Sequence, residues 1–298
     1  MAALIYQIFT SSSLLSLGLY HLISTIRNFL KSPQSFSAKP FHPLSSRLRL
    51  LPLYLTIVAI LISFIHHSLS SNIADPLVKG HSPVHHFTSL QSAAVSFLFF
   101  LLSLILLLSE CTSVFSMLPS DLFFAFASSA FFLHSTVYSS RASLQTSDLQ
   151  SRCDSLSSSI SLVSSILCLG LALFPRLFVF DVGLAGSLCL NGLWDLQTGL
   201  SLYVDAFIPE GCHRLLDVVS GVEGSTKCEL EESKLRAVAI LDLAFVVHVG
   251  IVMILIFVVY AVVSKALGVS RRFGSYEALS TTADTNHVQL KTLTGTQA

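Results

Sequence analysis

Long apolar stretches alternate with short polar segments along most of this chain. The stretch from Ala93 to Leu108, for example, contains no charged residue. A helix needs about 20 mostly apolar residues to cross the hydrocarbon core of a bilayer, where an unpaired backbone amide is costly. The pattern therefore predicts an all-α polytopic membrane protein, a bundle of seven transmembrane helices. The predicted spans lie at roughly 3–25, 48–69, 87–109, 119–140, 156–175, 182–204 and 237–264.

The composition agrees with this class. Of the 298 residues, 52% are hydrophobic and only 11% are charged, much less charge than a soluble domain of this size carries. The net charge is zero and no dense basic face is present, so nucleic acid is not an expected partner. The expected partner of such an apolar chain is the lipid bilayer. No basic residue precedes the first apolar run, so we expect that segment to remain as a helix.

Basic residues predict the orientation. With seven spans, more of the 17 lysines and arginines fall on one side, and the first loop and the C-terminal tail are distinctly basic. Basic loops favour the cytoplasm, which places the N-terminus outside or in a lumen. Cys212 and Cys228 share the polar loop before the seventh span, on the non-cytoplasmic side. An oxidising compartment would let them form a disulfide, and two unlinked thiols are the alternative.

The chain divides into a transmembrane domain, residues 1–267, and a polar tail, residues 268–298. The tail lacks apolar periodicity, so we expect it to be disordered and cytoplasmic. Within it, Tyr276-Glu277-Ala278-Leu279 fits the tyrosine-x-x-apolar pattern that sorting adaptors bind. Tyr276 and Leu279 thus predict a sorting adaptor as partner. The predicted location is the endomembrane system (Golgi, endosome or vacuole) or the plasma membrane.

The fifth span is interrupted by serines, which would be unusual against lipid. Small hydroxylated residues are common where membrane helices pack closely, so these serines predict a seam between helices. The serines are Ser157, Ser158, Ser159, Ser161, Ser164 and Ser165.

Ionisable groups are concentrated in the outer half of the predicted bundle. Such groups inside a span are costly and are candidates for function. In the sixth span, Asn191, Asp195 and Thr198 are spaced i, i+4 and i+7, which predicts one polar stripe. A carboxylate in hydrocarbon should be protonated or paired, and His134 or His248 is the expected partner of Asp195.

Three interpretations of this cluster remain open. Imidazoles and a carboxylate suit zinc, copper or iron, so a transition-metal site is one. A pathway for protons or a small solute is the second, and buried polar pairs that fix helix register are the third. No His-x-x-x-His spacing and no catalytic motif of known enzymes is present. The candidate metal ligands are His85, His86, His134, Asp195 and His248.

Short motifs in a consistent order resemble the transmembrane protein 45 family, whose plant members form a domain of unknown function. They run through nearly the whole membrane region. The resemblance implies a non-enzymatic multi-pass membrane protein of undefined biochemical activity. The matching segments are Gly18-Leu19-Tyr20-His21-Leu22, His85-His86-Phe87-Thr88, Phe131-Phe132-Leu133-His134-Ser135, Gly192 with Trp194 and Gly199, and Ile208-Pro209-Glu210-Gly211-Cys212 followed by Cys228-Glu229.

The chain also departs from the family pattern. Family members begin the first helix with Gly-His and a later Pro-Gly, and they carry further histidines near the turn after the fourth helix. This chain is therefore identified as a divergent member that lacks part of the family's histidine set. The departing residues are Tyr6, Gln7, Thr10, Ser11, Phe132, Tyr138 and Thr146.

Overall fold

The structure, a computed structural model, describes residues 2–41, 50–71, 81–112, 119–216 and 223–268. The predicted tail with Tyr276 and Leu279 lies outside the described residues. Apart from one β-hairpin and short connecting segments, the described part is helical, which agrees with the predicted all-α class. The elements are α1 (Ala2–Lys31), α2 (Leu51–Ser70), α3 (His81–Cys111), α4 (Ser120–Leu144), α5 (Asp148–Leu173), α6 (Phe178–Tyr203), β1 (Cys212–Leu216), β2 (Glu223–Cys228) and α7 (Glu231–Ala266).

The hairpin marks one end of the bundle, which we call the hairpin end. β1 and β2 are antiparallel, with Cys212 opposite Cys228, and a disulfide joins these two cysteines. Thr226 of β2 is fully buried and donates a hydrogen bond to the Leu202 carbonyl at the end of α6, 3.1 Å away. The Ser147 hydroxyl before α5 donates to the Thr226 carbonyl. The hairpin is therefore fixed to the ends of two helices.

Helix α6 occupies the centre of the bundle. Trp194 on this helix is completely buried, and its indole nitrogen donates to the Cys153 carbonyl of α5, 3.2 Å away. Its ring also contacts Phe245 of α7 edge-on. Because α6 is enclosed by α1, α5 and α7, its residues need not be apolar on every face.

Two glycines allow α1 and α6 to pack closely. A Cβ at Gly18 would lie 2.6 Å from Cys189 Sγ, and one at Gly192 would lie 2.9 Å from the Leu15 backbone nitrogen. Backbone atoms cannot move aside as a flexible side chain can. Small residues at such contacts are what bring membrane helices together.

Gly192→Ala is expected to destabilise the protein by about 1–3 kcal/mol, the usual cost of overpacking a close contact. Gly250→Ala in α7 is the matched control, because no atom of a neighbouring element in the described residues lies within 4 Å of the position its Cβ would take. Thermal unfolding of both variants in detergent measures the difference. Equal unfolding temperatures would contradict the close packing of α1 on α6.

Serines join α4 to α5, as the sequence predicts. The Ser128 and Ser165 hydroxyls each donate to the other residue's carbonyl at 2.9 Å, and the Ser158 hydroxyl donates to the Ser135 carbonyl. Ser164 Oγ donates to Ser187 Oγ of α6. The seam is confirmed for these positions, whereas Ser159 is exposed and bonds only within its own helix.

Five of the helices in the described residues are long and apolar enough to cross a membrane: α2, α3 from Val84, α4, α5 and α7. These fit an integral, multi-pass membrane protein. The predicted spans at roughly 3–25 and 182–204 correspond to α1 and α6, which are long enough but not apolar enough by the same measure. Both carry polar residues toward the interior, where neighbouring helices rather than lipid surround them.

Helix ends extend beyond several predicted spans. Helix α4 continues to Leu144, α5 begins at Asp148 and α7 begins at Glu231, each several residues outside the apolar stretch. These extensions place Arg141 and Asp154 on helices rather than in a loop. The apolar pattern ends where the hydrocarbon core ends, but backbone hydrogen bonding continues the helix further.

Candidate functional site

A cavity of about 1010 Å³ lies inside the bundle, between α1, α2, α3, α4, α5 and α6. Its volume is at the upper end of the roughly 300–1,000 Å³ typical of small-molecule sites. Many of its lining residues are polar, which is unusual inside a membrane bundle. It begins near the hairpin end, where Gln145, Gln150 and Tyr203 lie, and reaches inward to Ser103.

A polar stripe on α3 shows how deep the cavity is. His85, Ser89, Ser92, Ser96 and Ser103 all line it, and their spacing places them on one face of the helix. From His85 to Ser103 the helix rises about 27 Å, at 1.5 Å per residue. The cavity therefore extends through a depth close to the roughly 30 Å thickness of the hydrocarbon core.

The stripe predicted on α6 faces the same cavity. Asn191, Asp195 and Thr198 all line it, on the helix that forms the centre of the bundle. Within the described residues Asp195 forms no hydrogen bond or salt bridge. Its carboxylate is therefore presented to the cavity rather than used to join two helices.

An arginine and a second aspartate lie near the hairpin end of the cavity. Arg141 Nε is 3.8 Å from Asp154 Oδ2, and the Arg141 guanidinium lies over the Tyr138 ring, 5.1 Å from its centroid. Asp154 is 5% exposed. Arg141 thus offsets the Asp154 charge without completing the hydrogen bonds of that carboxylate.

Three buried side-chain atoms in the described residues lack a hydrogen-bond partner, and all three belong to residues that line this cavity. They are Gln145 Oε1, Asp154 Oδ2 and Thr198 Oγ1. Thr198 has the Cys153 thiol beside it, but a thiol is a weak donor and the contact lacks good hydrogen-bond geometry. Buried polar groups are nearly always satisfied in folded proteins, so among the described residues the hairpin end of the cavity is where hydrogen bonding is least complete.

Helices α1 and α2 contribute aromatic and imidazole rings to the wall. The Tyr6 ring stacks on His66 with centroids 3.8 Å apart, and Tyr6 Oη lies 2.7 Å from Ser63 Oγ. His67 Nε2 is 3.3 Å from the same phenol oxygen. This cluster holds the first turns of α1 against the last turns of α2.

Of the five predicted metal ligands, His85 and His86 connect two helices. His85 Nε2 donates to the Ser70 carbonyl at 3.1 Å, and His86 Nδ1 donates to the Ser71 carbonyl at 2.9 Å. His85 also lines the cavity, whereas His86 does not. The adjacent rings thus attach the start of α3 to the end of α2.

The other three predicted ligands are separated from one another. His134 lines the cavity and hydrogen-bonds Ser161 Oγ at 2.9 Å, while His248 donates to the Ala244 carbonyl on its own helix at 2.6 Å. Asp195 contacts neither through a hydrogen bond, so the predicted pairing of Asp195 with a histidine is not formed. The described residues contain no group of three or more His, Cys, Asp or Glu side chains placed to hold a metal ion.

Sequence analysis did not identify Arg141, Tyr138 and Asp154 as parts of one site. A signal was present, because His134, Tyr138, Arg141 and Gln145 recur at spacings of three and four, the pattern of one helix face. The predicted end of the fourth span at about residue 140 separated Arg141 from that face.

A second, smaller cavity of about 160 Å³ continues toward the opposite end of the bundle. It reaches His21, whose Nε2 donates to Asp181 Oδ1 at 2.8 Å, and Thr25 donates to the other carboxylate oxygen at 2.9 Å. Six residues line both cavities, and we call them the collar. The collar consists of Leu17, Thr56, Phe99, Ser103, Phe131 and Leu188.

Comparison with known proteins gives one family. Residues 120–261, slightly less than half of the chain, match a family of unknown function (DUF716). A search of curated proteins finds no match. The matched segment includes α4, α5, α6, the hairpin and most of α7, and therefore includes Arg141, Asp154 and Asp195.

Proposed function

We propose that this chain is a multi-pass membrane protein that binds a small polar solute in its central cavity and moves it across the membrane. The observation that carries the proposal is the polar wall of the cavity, where Asp195 forms no hydrogen bond with the described residues. Gln145, Asp154 and Thr198, which each carry a side-chain atom without a hydrogen-bond partner, belong to the same wall. A polar group that faces a space without water or another partner loses its hydrogen bonds at a cost of about 1–3 kcal/mol, so this wall favours an occupant that forms hydrogen bonds.

Water satisfies such groups when no solute is bound. A water molecule needs two to four polar partners, and the serine, histidine and amide groups of this wall provide them. A volume of about 1010 Å³ has room for a small molecule together with water. A wet, polar space inside apolar helices is the arrangement expected of a solute pathway.

The collar supports movement across the membrane rather than binding alone. Large apolar side chains, including Leu17, Phe99, Phe131 and Leu188, separate the polar cavity from the small cavity that ends at His21. Apolar constrictions can close a pathway by excluding water. We propose that a solute enters from the hairpin end and that the collar closes the pathway.

The alternative of a transition-metal site has weaker support. The cavity contains His85, His134 and Asp195, but His85 bonds to the Ser70 carbonyl and His134 to the Ser161 hydroxyl, and no three ligands converge among the described residues. A purely structural role explains His86 and His248, which bind backbone carbonyls. It does not explain Asp195, which joins no two helices.

The resemblance to the transmembrane protein 45 family supports the multi-pass part of the proposal, since the family of unknown function matched by residues 120–261 includes members of that family. Four of the positions that depart from the family pattern line the cavity: Tyr6, Gln7, Thr10 and Tyr138. We propose that α1 and α6 complete seven spans, with the hairpin end outside or in a lumen.

A cysteine-labelling experiment tests whether the cavity is open to water. Ser92, on the α3 stripe, is replaced by cysteine in a Cys111→Ser background, because Cys111 is an exposed native thiol. Intact membranes are treated with a charged, membrane-impermeant methanethiosulfonate. We expect Ser92→Cys to react at least about tenfold faster than a thiol in lipid, since the thiolate that reacts requires water.

Leu98→Cys is the matched control, because Leu98 lies on the same helix but does not line the cavity and is exposed on the outer surface of the bundle. We expect it to remain unreacted. If Ser92→Cys reacts no faster than Leu98→Cys from either side of the membrane, the cavity is dry and the proposed function is wrong.

A further inference from the structure

We infer that the cavity selects a small organic cation, a solute that bears an ammonium or amidinium group. This inference rests on the proposed function and specifies its substrate class. It follows from the charges and the hydrogen-bond acceptors in the wall of the cavity, and chiefly from Asp195.

When both carboxylates are ionised, the charged side chains of the wall carry a net negative charge. Among the described residues that line the cavity, Arg141 is the only lysine or arginine, and Asp154 and Asp195 are the acidic residues. Arg141 is already placed against Asp154, 3.8 Å away, and over the Tyr138 ring. Asp195 therefore forms no ion-pair contact with a lysine or arginine of the described residues, although the Arg141 charge acts on it through space.

The unpaired groups are predominantly acceptors. A carboxylate oxygen of Asp154 and the amide oxygen of Gln145 can only accept hydrogen bonds from a neutral or cationic donor. Asp195 provides two more acceptor oxygens that no protein group in the described residues satisfies. An ammonium group carries three donors and no acceptor, which matches this set.

Other classes of solute fit less well. An anion would meet the Asp195 carboxylate and would have to displace Asp154 from Arg141. A transition-metal ion would need several converging ligands, and the described residues provide no such group. An organic cation also gains from aromatic faces, and Tyr6, Phe99, Phe131 and Tyr203 line the same cavity.

The test measures the electrostatic preference of the cavity directly. Asn191→Cys, one helical turn from Asp195, and Ser92→Cys are labelled with two methanethiosulfonates of similar size. One carries a trimethylammonium group and the other a sulfonate. Each rate is divided by the rate of the same reagent with a free thiol in solution. We expect the normalised rate of the cationic reagent to exceed that of the anionic one by roughly tenfold or more. A charge within about 10 Å of the thiol interacts strongly with the reagent where bulk water does not screen it.

Removal of the Asp195 charge provides the decisive comparison. Asp195→Asn and Asp195→Ser are expected to lower the preference for the cation severalfold at Asn191→Cys, and Asp195→Glu is expected to retain it. Asp121→Asn, at an exposed position outside the cavity, is the matched control and should change nothing. Because Asp195 forms no hydrogen bond with the described residues, its amide variant is expected to fold.

Different results would contradict the proposed function and the assignment of a cation as its solute. If neither reagent modifies either cysteine, the cavity is closed to water and the proposed function fails. If both reagents react but the anion is favoured, or the ratio does not depend on Asp195, solute binding stands and the cation assignment is overturned.

Discussion

Asp181→Ala is expected to lower the free energy of unfolding by about 3 kcal/mol, one of the two largest effects expected for a single change in this protein. Asp181 is completely buried on α6 and accepts hydrogen bonds from His21 and Thr25 of α1. Its removal leaves an imidazole and a hydroxyl without partners in a space that water does not reach easily. Thermal unfolding in detergent, together with the yield of monodisperse protein, measures the loss.

A double replacement separates the loss of a favourable contact from the cost of an unpaired group. His21→Phe combined with Asp181→Leu removes both partners and fills their volume with apolar atoms. We expect the double variant to be more stable than Asp181→Ala, because replacing both partners of a buried hydrogen bond can be nearly neutral. If the double variant is the less stable one, the hydrogen bond between His21 and Asp181 adds stability beyond supplying each buried group with a partner.

Cys228→Ser is expected to cost about 3 kcal/mol, close to the loop-closure contribution of a disulfide that spans a loop of this length. The bridge joins residues separated by 16 positions and closes the hairpin whose Thr226 is buried against α6. Loss of the bridge leaves the pairing of β1 with β2 dependent on backbone hydrogen bonds alone. The unfolding temperature of Cys228→Ser, compared with that of the unreduced parent protein, gives the effect.

Cys111→Ser is the control for this substitution, because Cys111 is a free and exposed thiol at the end of α3. It should leave the unfolding temperature unchanged. The disulfide itself is checked by maleimide labelling of denatured, unreduced protein. Labelling of both Cys212 and Cys228 under those conditions would show that the pair is not oxidised in the membrane.

Hydrophobic periodicity predicted the helices well because lipid imposes a simple requirement on sequence. Any segment that crosses the hydrocarbon core must satisfy its own backbone hydrogen bonds, and a helix is the way for one segment to do so. The stretch around Ala93 to Leu108 lies within α3 for that reason. Helical spacing also identified the Asn191, Asp195 and Thr198 stripe, which lines the cavity.

Apolarity was a poorer guide where helices are covered by protein. Helices α1 and α6 carry polar residues such as Gln7 and Asp195 that face the cavity, so they fall short of the apolarity of a span surrounded by lipid. The ends of α4 and α5 extend past the hydrocarbon core, which concealed Arg141 and Asp154 from a prediction based on apolar stretches.

Sequence by itself determined that this chain is built from apolar helices, which face carries polar groups on α6, and that serines of α5 pack against another helix. Tertiary structure alone decided which polar groups meet. His248 and Asp195 are both on helices near the centre, yet one bonds to its own backbone and the other faces the cavity. The rotation of each helix about its axis sets these partners, and that rotation is fixed by contacts such as Gly192 against Leu15, between residues far apart in the chain.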